Sequence, residues 1–145
     1  MKNFLTNLKD IPILILRIIL GIEFIFLHGW PKLSGGPIRW TRTGEAMSNL
    51  GITFFPTFWG FMASATEFFG GILILLGLFT RSASVFLTFT MIVAMLQHLS
   101  RLDPWGRVFH PMSLAAVFFL FIFIGAGKYS LDAVFFKEKK PILPA

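Results

Sequence analysis

The chain has 145 residues, and its composition of 55% hydrophobic and 14% charged residues is far from that of an ordinary water-soluble domain. Its net charge of +6 comes from basic residues dispersed at the ends of apolar runs. That pattern excludes the concentrated basic tract of a nucleic-acid-binding protein and indicates membrane lipid as the partner. The chain contains no cysteine, which excludes a disulfide framework, a thiolate zinc site and a thiol-exchange centre within it.

Four apolar runs predict four membrane spans. A helix needs about 20 largely apolar residues to cross the hydrocarbon of a bilayer. The runs cover residues 11–30, 55–80, 82–99 and 111–125 of a single domain, residues 1–145. The first run is long, holds Arg17 and Glu23 and lacks a small-residue cleavage site, so we interpret it as a helix and not as a signal peptide. The predicted fold class is all-α, an integral-membrane four-helix bundle.

The segment between the first two runs predicts a short interfacial helix. Prolines and glycines end the first span, and then Trp40, Thr43, Met47 and Leu50 recur at helical spacing. The alternative is a disordered loop. Spans two and three are joined only by a tight turn near Arg81, so we expect them to be antiparallel neighbours.

An even number of spans places both termini on one side of the membrane. On the side of the termini lie Lys2, Lys9, Arg81, Lys128, Lys137, Lys139 and Lys140. On the other side lie Lys32, Arg39, Arg42, Arg101 and Arg107. Because cytoplasmic loops carry an excess of lysine and arginine, this distribution favours cytoplasmic N- and C-termini.

Polar residues within the spans fall on single helical faces. A charged side chain at the bilayer centre costs ~2.5–3.5 kcal/mol on insertion scales, so such groups normally face the bundle interior and find partners there. The predicted faces are Arg17, Gly21, Phe24 and His28 in span one, and Gly60, Ser64, Glu67 and Gly71 in span two. In spans three and four they are Ser84, Thr88, Met91, Met95 and His98, and Ser113 and Ala116. We expect the faces of spans one and two to meet, because small residues allow close helix packing in lipid.

Two carboxylates are the candidate catalytic groups, as carriers of protons. Glu67 lies on the small-residue face of span two, where it could equally serve only as a helix-packing ion pair. Glu23 points about 120° away from the Arg17 face on a regular helix, towards a neighbouring groove or a subunit contact. Arg17, Arg81 and Asp132 are assigned to structural ion pairing, with Asp132 as a partner for Arg17 on the cytoplasmic side.

The histidines are candidate substrate contacts. His28, His98 and His110 all lie near span ends on the side opposite the termini, close to Lys32 in span one. Imidazole and ammonium groups can donate hydrogen bonds to quinone oxygens. Histidines at helix ends are also common as plain interfacial residues, and the sequence has no HxxxH pair, so no metal site is assigned.

The order of several short motifs resembles the DoxX/DoxD family of small four-helix membrane proteins. These motifs are R-x-x-x-G at 17–21, G-x-x-K-L at 29–33, E-x-x-G-G-x-x-x-x-x-G at 67–77, Thr80-Arg81, and GAGKYSLD at 125–132. The resemblance covers nearly the whole chain. No single motif is strongly specific, but together they fall in order on the four predicted spans.

The resemblance implies an integral-membrane subunit of a quinone-linked oxidoreductase complex in the bacterial or archaeal inner membrane. DoxD-like members are subunits of thiosulfate:quinone oxidoreductase, and DoxX members are linked to membrane complexes that handle thiols and oxidative stress. It thus implies a membrane quinone as a non-covalent ligand, and a partner oxidoreductase subunit or a homo-oligomer. It supplies no catalytic residues that could be carried over.

Two other functions are compatible with the sequence. The chain could be a non-catalytic scaffold or anchor for a partner enzyme, with its polar groups serving only to pack helices. It could also be a small-solute transporter, which intramembrane charge favours but the absence of internal repeats in the sequence disfavours.

Overall fold

The computed structural model describes the backbone of residues 2–136 and the side chains of residues 10–136. Of the basic residues used to predict the orientation, Lys137, Lys139 and Lys140 lie outside the described residues, as do the side chains of Lys2 and Lys9.

Helices make up most of the described residues, and short turns and loops connect them. The first helix, α1 (Lys2–Glu23), continues without a break through a π-helical turn (Phe24–Gly29) into α2 (Trp30–Leu33). The other elements are α3 (Gly36–Gly44), a 3₁₀ helix (Glu45–Leu50), α4 (Pro56–Leu76), α5 (Thr80–Ser100), α6 (Trp105–Ile124) and α7 (Leu131–Phe135).

Four of the helical segments are long and apolar enough to cross a membrane: Asp10–Leu33, Pro56–Leu76, Thr80–Ser100 and Trp105–Ile124. The predicted all-α class with four membrane helices is confirmed. The fourth helix begins at Trp105, earlier than the apolar run at 111, because Pro104 precedes its first turn and Pro111 is accommodated inside it.

The helices bury an apolar core and present apolar side chains outward. Leu20 and Phe24 of the first span pack with Ile74 of α4, Leu87 of α5 and Phe118 of α6. Large side chains also cover the outer surface, including Phe86, Phe119 and Phe123, which are 63%, 54% and 64% exposed. An apolar exterior around an apolar core is the arrangement expected for a bundle surrounded by lipid.

The predicted inner faces are observed in three of the four spans. In span two all four predicted residues, Gly60, Ser64, Glu67 and Gly71, are buried. Ser84, Thr88 and Met91 of α5 are also buried. In span four the prediction is wrong, since Ser113 and Ala116 are exposed and Phe118 and Phe121 fill the core. Without water on either side, the few small polar residues of this span carry little information about which face is inside.

The faces of spans one and two meet, as predicted. A Cβ atom added at Gly21 would lie 2.6 Å from Cβ of Leu75, and one added at Gly71 would lie 2.9 Å from Cβ of Phe24. The two helix backbones therefore touch along this seam, which only glycine permits at these positions.

Helix α3 lies directly against the first half of α4. A Cβ added at Gly60 would overlap the carbonyl oxygen of Trp40, and one added at Gly44 would overlap that of Pro56. The segment predicted as an interfacial helix between spans one and two thus contains α3, packed backbone to backbone on span two.

We predict that Gly60→Ala destabilises the protein by roughly 1–3 kcal/mol, because the methyl group forces α3 and α4 apart. The measurement is thermal or denaturant unfolding of the purified protein in detergent. The matched control is Gly106→Ala in α6, where an added Cβ meets nothing within 4 Å. Equal stability of the two variants would contradict the close packing of α3 on α4.

Candidate functional site

Arg17 binds backbone carbonyls from two distant parts of the chain. Its Nε donates to the carbonyl of Ile74 at 2.9 Å and its Nη2 to that of Leu75 at 3.1 Å, both in the last turn of α4. Its Nη1 donates to the carbonyls of Ala126 and Tyr129, each at 2.8 Å, in the turn after α6. These carbonyls lie at or beyond the C-terminal ends of helices, where backbone C=O groups are not fully paired, and their partial negative charge stabilises the buried guanidinium.

Asp132 and Arg81 also bond to the backbone at this end of the bundle. The Asp132 carboxylate accepts the N–H groups of Phe79 (2.7 Å) and Thr80 (3.0 Å), which caps the start of α5. Arg81 Nη2 donates to the Phe123 carbonyl at 3.2 Å. Within residues 10–136, Arg17 and Asp132 form no direct salt bridge and each bonds to backbone groups, but their charges are near enough to interact electrostatically. The structural ion pairing of Arg17, Arg81 and Asp132 stays a prediction.

Near the middle of α4, Glu67 forms an ion pair with Lys32. The Lys32 Nζ lies 2.7 Å from each carboxylate oxygen and donates a hydrogen bond to Oε1. Oε2 receives no hydrogen bond of favourable angle from the described residues. The side chain of Glu67 is only 2% exposed and that of Lys32 is 27% exposed. The pair therefore connects a buried carboxylate to an ammonium that reaches the surface of the bundle.

The backbone around Lys32 is held on two sides. A Cβ added at Gly29 would lie 2.5 Å from the Phe68 backbone, so the first helix touches α4 beside Glu67. On the other side, the Trp40 indole Nε1 of α3 donates to the carbonyls of Lys32 (3.1 Å) and Leu33 (3.2 Å). These contacts fix the end of the first helix at the position from which Lys32 reaches Glu67.

A second polar cluster joins the first span to α6. The Glu23 carboxylate Oε1 lies 3.2 Å from Nε2 of His28 and 3.8 Å from Nε2 of His110. The two imidazole rings stack with their centroids 5.8 Å apart. Glu23 and His28 are about three-quarters buried, whereas the His110 side chain is 55% exposed.

The π-helical turn brings Glu23 and His28 together. On a regular α-helix, residues five apart point about 140° away from each other. The i→i+5 bonding of a π-helix places them on the same side, and the Trp30 N–H indeed bonds to the Ile25 carbonyl. Pro31 lacks the N–H that would bond the Leu27 carbonyl in a regular helix, which favours this departure. Glu23 faces the groove next to α6, one of the two locations that the sequence left open.

Of the three histidines, His98 lies apart from this cluster. Its Nδ1 is 2.7 Å from Oδ2 of Asp103, and Arg107 Nη1 is 3.8 Å from the other carboxylate oxygen. The hydrogen bond with His98 holds the pKa of Asp103 below its usual range, against the opposing effect of desolvation. A role of His28, His98 or His110 in quinone binding stays a prediction.

The fold and its buried charges define the class of protein: a small polytopic membrane protein with acid–base side chains clustered within a helical bundle. Residues 13–99 match the DoxX family model, and the chain belongs to the DoxX family. The resemblance seen in the sequence is thereby confirmed. The matched region contains Arg17, Glu23, His28, Lys32 and Glu67.

The chain is similar to three named proteins over nearly their full lengths. It is 30% identical to "Inner membrane protein YqjF" of Escherichia coli (strain K12), over 91% of this chain and 98% of that protein. It is 30% identical to "Putative oxidoreductase CatD" of Bacillus subtilis (strain 168), over 90% and 92%. It is 31% identical to an uncharacterized protein of Haemophilus influenzae, over 94% and 99%. No solved structure matches the chain.

We predict that Arg17→Lys lowers the free energy of unfolding by about 2–4 kcal/mol, because a single ammonium cannot reach carbonyls on both α4 and the turn after α6. The measurement is unfolding in detergent, monitored by loss of helical circular dichroism. Arg42→Lys is the matched control, since Arg42 is exposed on α3. If both variants unfold alike, the four carbonyl contacts of Arg17 do not stabilise the fold.

Proposed function

We propose that this protein is the integral-membrane subunit of a quinone-linked oxidoreductase complex. Family membership supports the proposal, as does the similarity to a relative whose name describes it as an oxidoreductase. The inner-membrane location in the name of YqjF supports a bacterial inner-membrane setting. The distribution of lysine and arginine in the sequence favours cytoplasmic termini. The observation that carries the proposal is the ion pair between buried Glu67 and partly exposed Lys32.

The chemistry of quinone reduction suits this pair. A quinone takes up two electrons and two protons to become a quinol, so the protein must deliver protons to oxygens that lie in a weakly hydrated region. The Lys32 ammonium can donate to a quinone oxygen, and the Glu67 carboxylate beside it can hold and return a proton. Of the four quinone contacts that the sequence suggested, His28, Lys32, His98 and His110, we select Lys32 because it pairs with the buried carboxylate.

The electrons come from a partner subunit in this proposal. The sequence contains no cysteine with which the chain could carry out thiol-based redox chemistry itself. A thiosulfate- or thiol-oxidising partner on the membrane surface would supply the two electrons, and the Glu67–Lys32 pair would supply protons from the side opposite the termini.

The alternative is a non-catalytic anchor, and Arg17 gives it a specific observation. All four of its hydrogen bonds go to backbone carbonyls, so one of the buried charges of this bundle has a purely structural environment. If Glu67 is likewise structural, its loss will lower the folded yield and leave the partner's specific activity intact.

The test begins with the tagged chain purified from native membranes in mild detergent, together with its bound proteins and lipids. We predict that Glu67→Gln lowers the rate at which this complex reduces added decylubiquinone, with thiosulfate or a dithiol as donor, by on the order of 100-fold. The glutamine keeps the size of the side chain and removes the proton-carrying group. Mass spectrometry of the lipid extract identifies any bound quinone.

The control is Glu45→Gln, which changes an exposed carboxylate of the 3₁₀ helix and is expected to leave the rate unchanged. Rates are normalised to folded complex, so that a loss of yield is not read as a loss of turnover. An unchanged normalised rate in the Glu67 variant favours the anchor and contradicts the proton-delivering role.

A further inference from the structure

We propose that Glu23, His28 and His110 form a binding site for a divalent transition-metal ion of the zinc and ferrous class. This inference goes beyond the quinone-linked role and does not depend on it, because it concerns a different set of side chains from the Glu67–Lys32 pair.

The three side chains already have the spacing of a ligand set. One ligand atom from each residue lies within 4.8 Å of the other two. The Glu23 Oε1 is 3.2 Å from His28 Nε2 and 3.8 Å from His110 Nε2. Ligand atoms that share a tetrahedral zinc ion at ~2.0–2.2 Å are roughly 3.3–3.5 Å apart, so the ion requires only a small inward movement of His110.

The types of ligand atom indicate which metal ions the site would bind. Two imidazoles and one carboxylate are the protein ligands of His₂Glu zinc sites and of the two-histidine, one-carboxylate ferrous sites. Mg²⁺ and Ca²⁺ favour sites made only of oxygen ligands and are not expected to bind well here. Because His110 is 55% exposed, one side of the site remains open for water or a substrate atom.

The π-helical turn and the packed core position the three ligand side chains. The π-helical turn aligns Glu23 with His28, and such turns are frequent at functional sites. Phe24, which is fully buried, packs its ring 5.1 Å from the His28 ring and 4.9 Å from Phe118 of α6. The two ligands of the first span and the ligand of α6 are thus joined through the core.

The site opens to the surface of the bundle through His110, whose side chain is 55% exposed. His28 lies five residues before the end of the first membrane helix at Leu33, and His110 lies five residues after the start of the fourth at Trp105. At 1.5 Å per residue, His110 lies about 8 Å along α6 from its first residue, whereas His28 precedes Gly29, which touches Phe68 in the middle of α4. The competing interpretation is that Glu23 merely hydrogen-bonds to His28 and lies near His110, and this interpretation predicts no specific affinity for metal.

The experiment is a Zn²⁺ titration of the purified full chain in lipid nanodiscs, after EDTA treatment, by isothermal calorimetry. We expect one Zn²⁺ per chain, and binding at least 10-fold weaker in His110→Asn and in Glu23→Gln. His98→Asn is the matched control and should bind as the wild type does, because His98 pairs with Asp103 instead. A parallel Mg²⁺ titration should show no comparable binding.

His110→Asn keeps the test decisive even if Glu23→Gln fails to fold, since the His110 side chain is largely exposed and its removal leaves the core unchanged. Absence of stoichiometric Zn²⁺ binding by the wild type would overturn the proposal. So would equal affinity of wild type and His110→Asn, or a loss of binding in His98→Asn.

Discussion

The structure depends on one constraint: a charge buried in a membrane bundle must be neutralised by partners within the bundle. Arg17 and Glu67, each 1% exposed, are the fully buried charged residues of the part of the chain whose side chains are described. They satisfy the constraint differently. Arg17 uses four backbone carbonyls at the end nearer the termini, whereas Glu67 uses the side chain of Lys32 towards the other end. The contacts of Arg17 stabilise the fold, and those of Glu67 place an ion pair in a largely apolar environment.

Arg17 and Glu67 therefore lie in two chemically different regions of the bundle. At the end nearer the termini, Arg17, Arg81 and Asp132 bond to backbone groups at or beyond helix ends, which are structural contacts. Nearer the middle of the bundle, carboxylates meet ammonium and imidazole groups, and several of these side chains remain partly exposed. An acidic side chain in contact with a basic one, at a position that is partly exposed, is suited to proton transfer or ligand binding. The proposed function therefore uses the side chains of this second region.

The sequence predicts the bundle well because, in lipid, the positions of polar residues indicate which face of each helix is buried. The spacing of Gly60, Ser64 and Glu67 identified the buried face of span two, since each of these residues would be unfavourable towards acyl chains. Span four has no comparable signal, and a phenylalanine facing lipid cannot be distinguished in sequence from one in the core.

The partners of Glu67 and Glu23 were missed for a geometric reason. Lys32 reaches Glu67 only because the first helix continues to Leu33, and Glu23 meets His28 only because the helix adopts π geometry. The five-residue spacing of Glu23 and His28, followed by Pro31, is the signal from which that turn could have been proposed.

The central claim is that Glu67 and Lys32 neutralise each other within the bundle, and a double-mutant cycle on the free energy of unfolding tests it most directly. Lys32→Met alone leaves a buried carboxylate unpaired, which is expected to cost about 3–5 kcal/mol, and Glu67→Gln alone should cost less because Lys32 can turn towards water. The account predicts that the double variant is more stable than the sum of the two losses implies, by at least ~1 kcal/mol. Additive effects, within about 0.5 kcal/mol, would show that the two side chains are not coupled and would contradict the account.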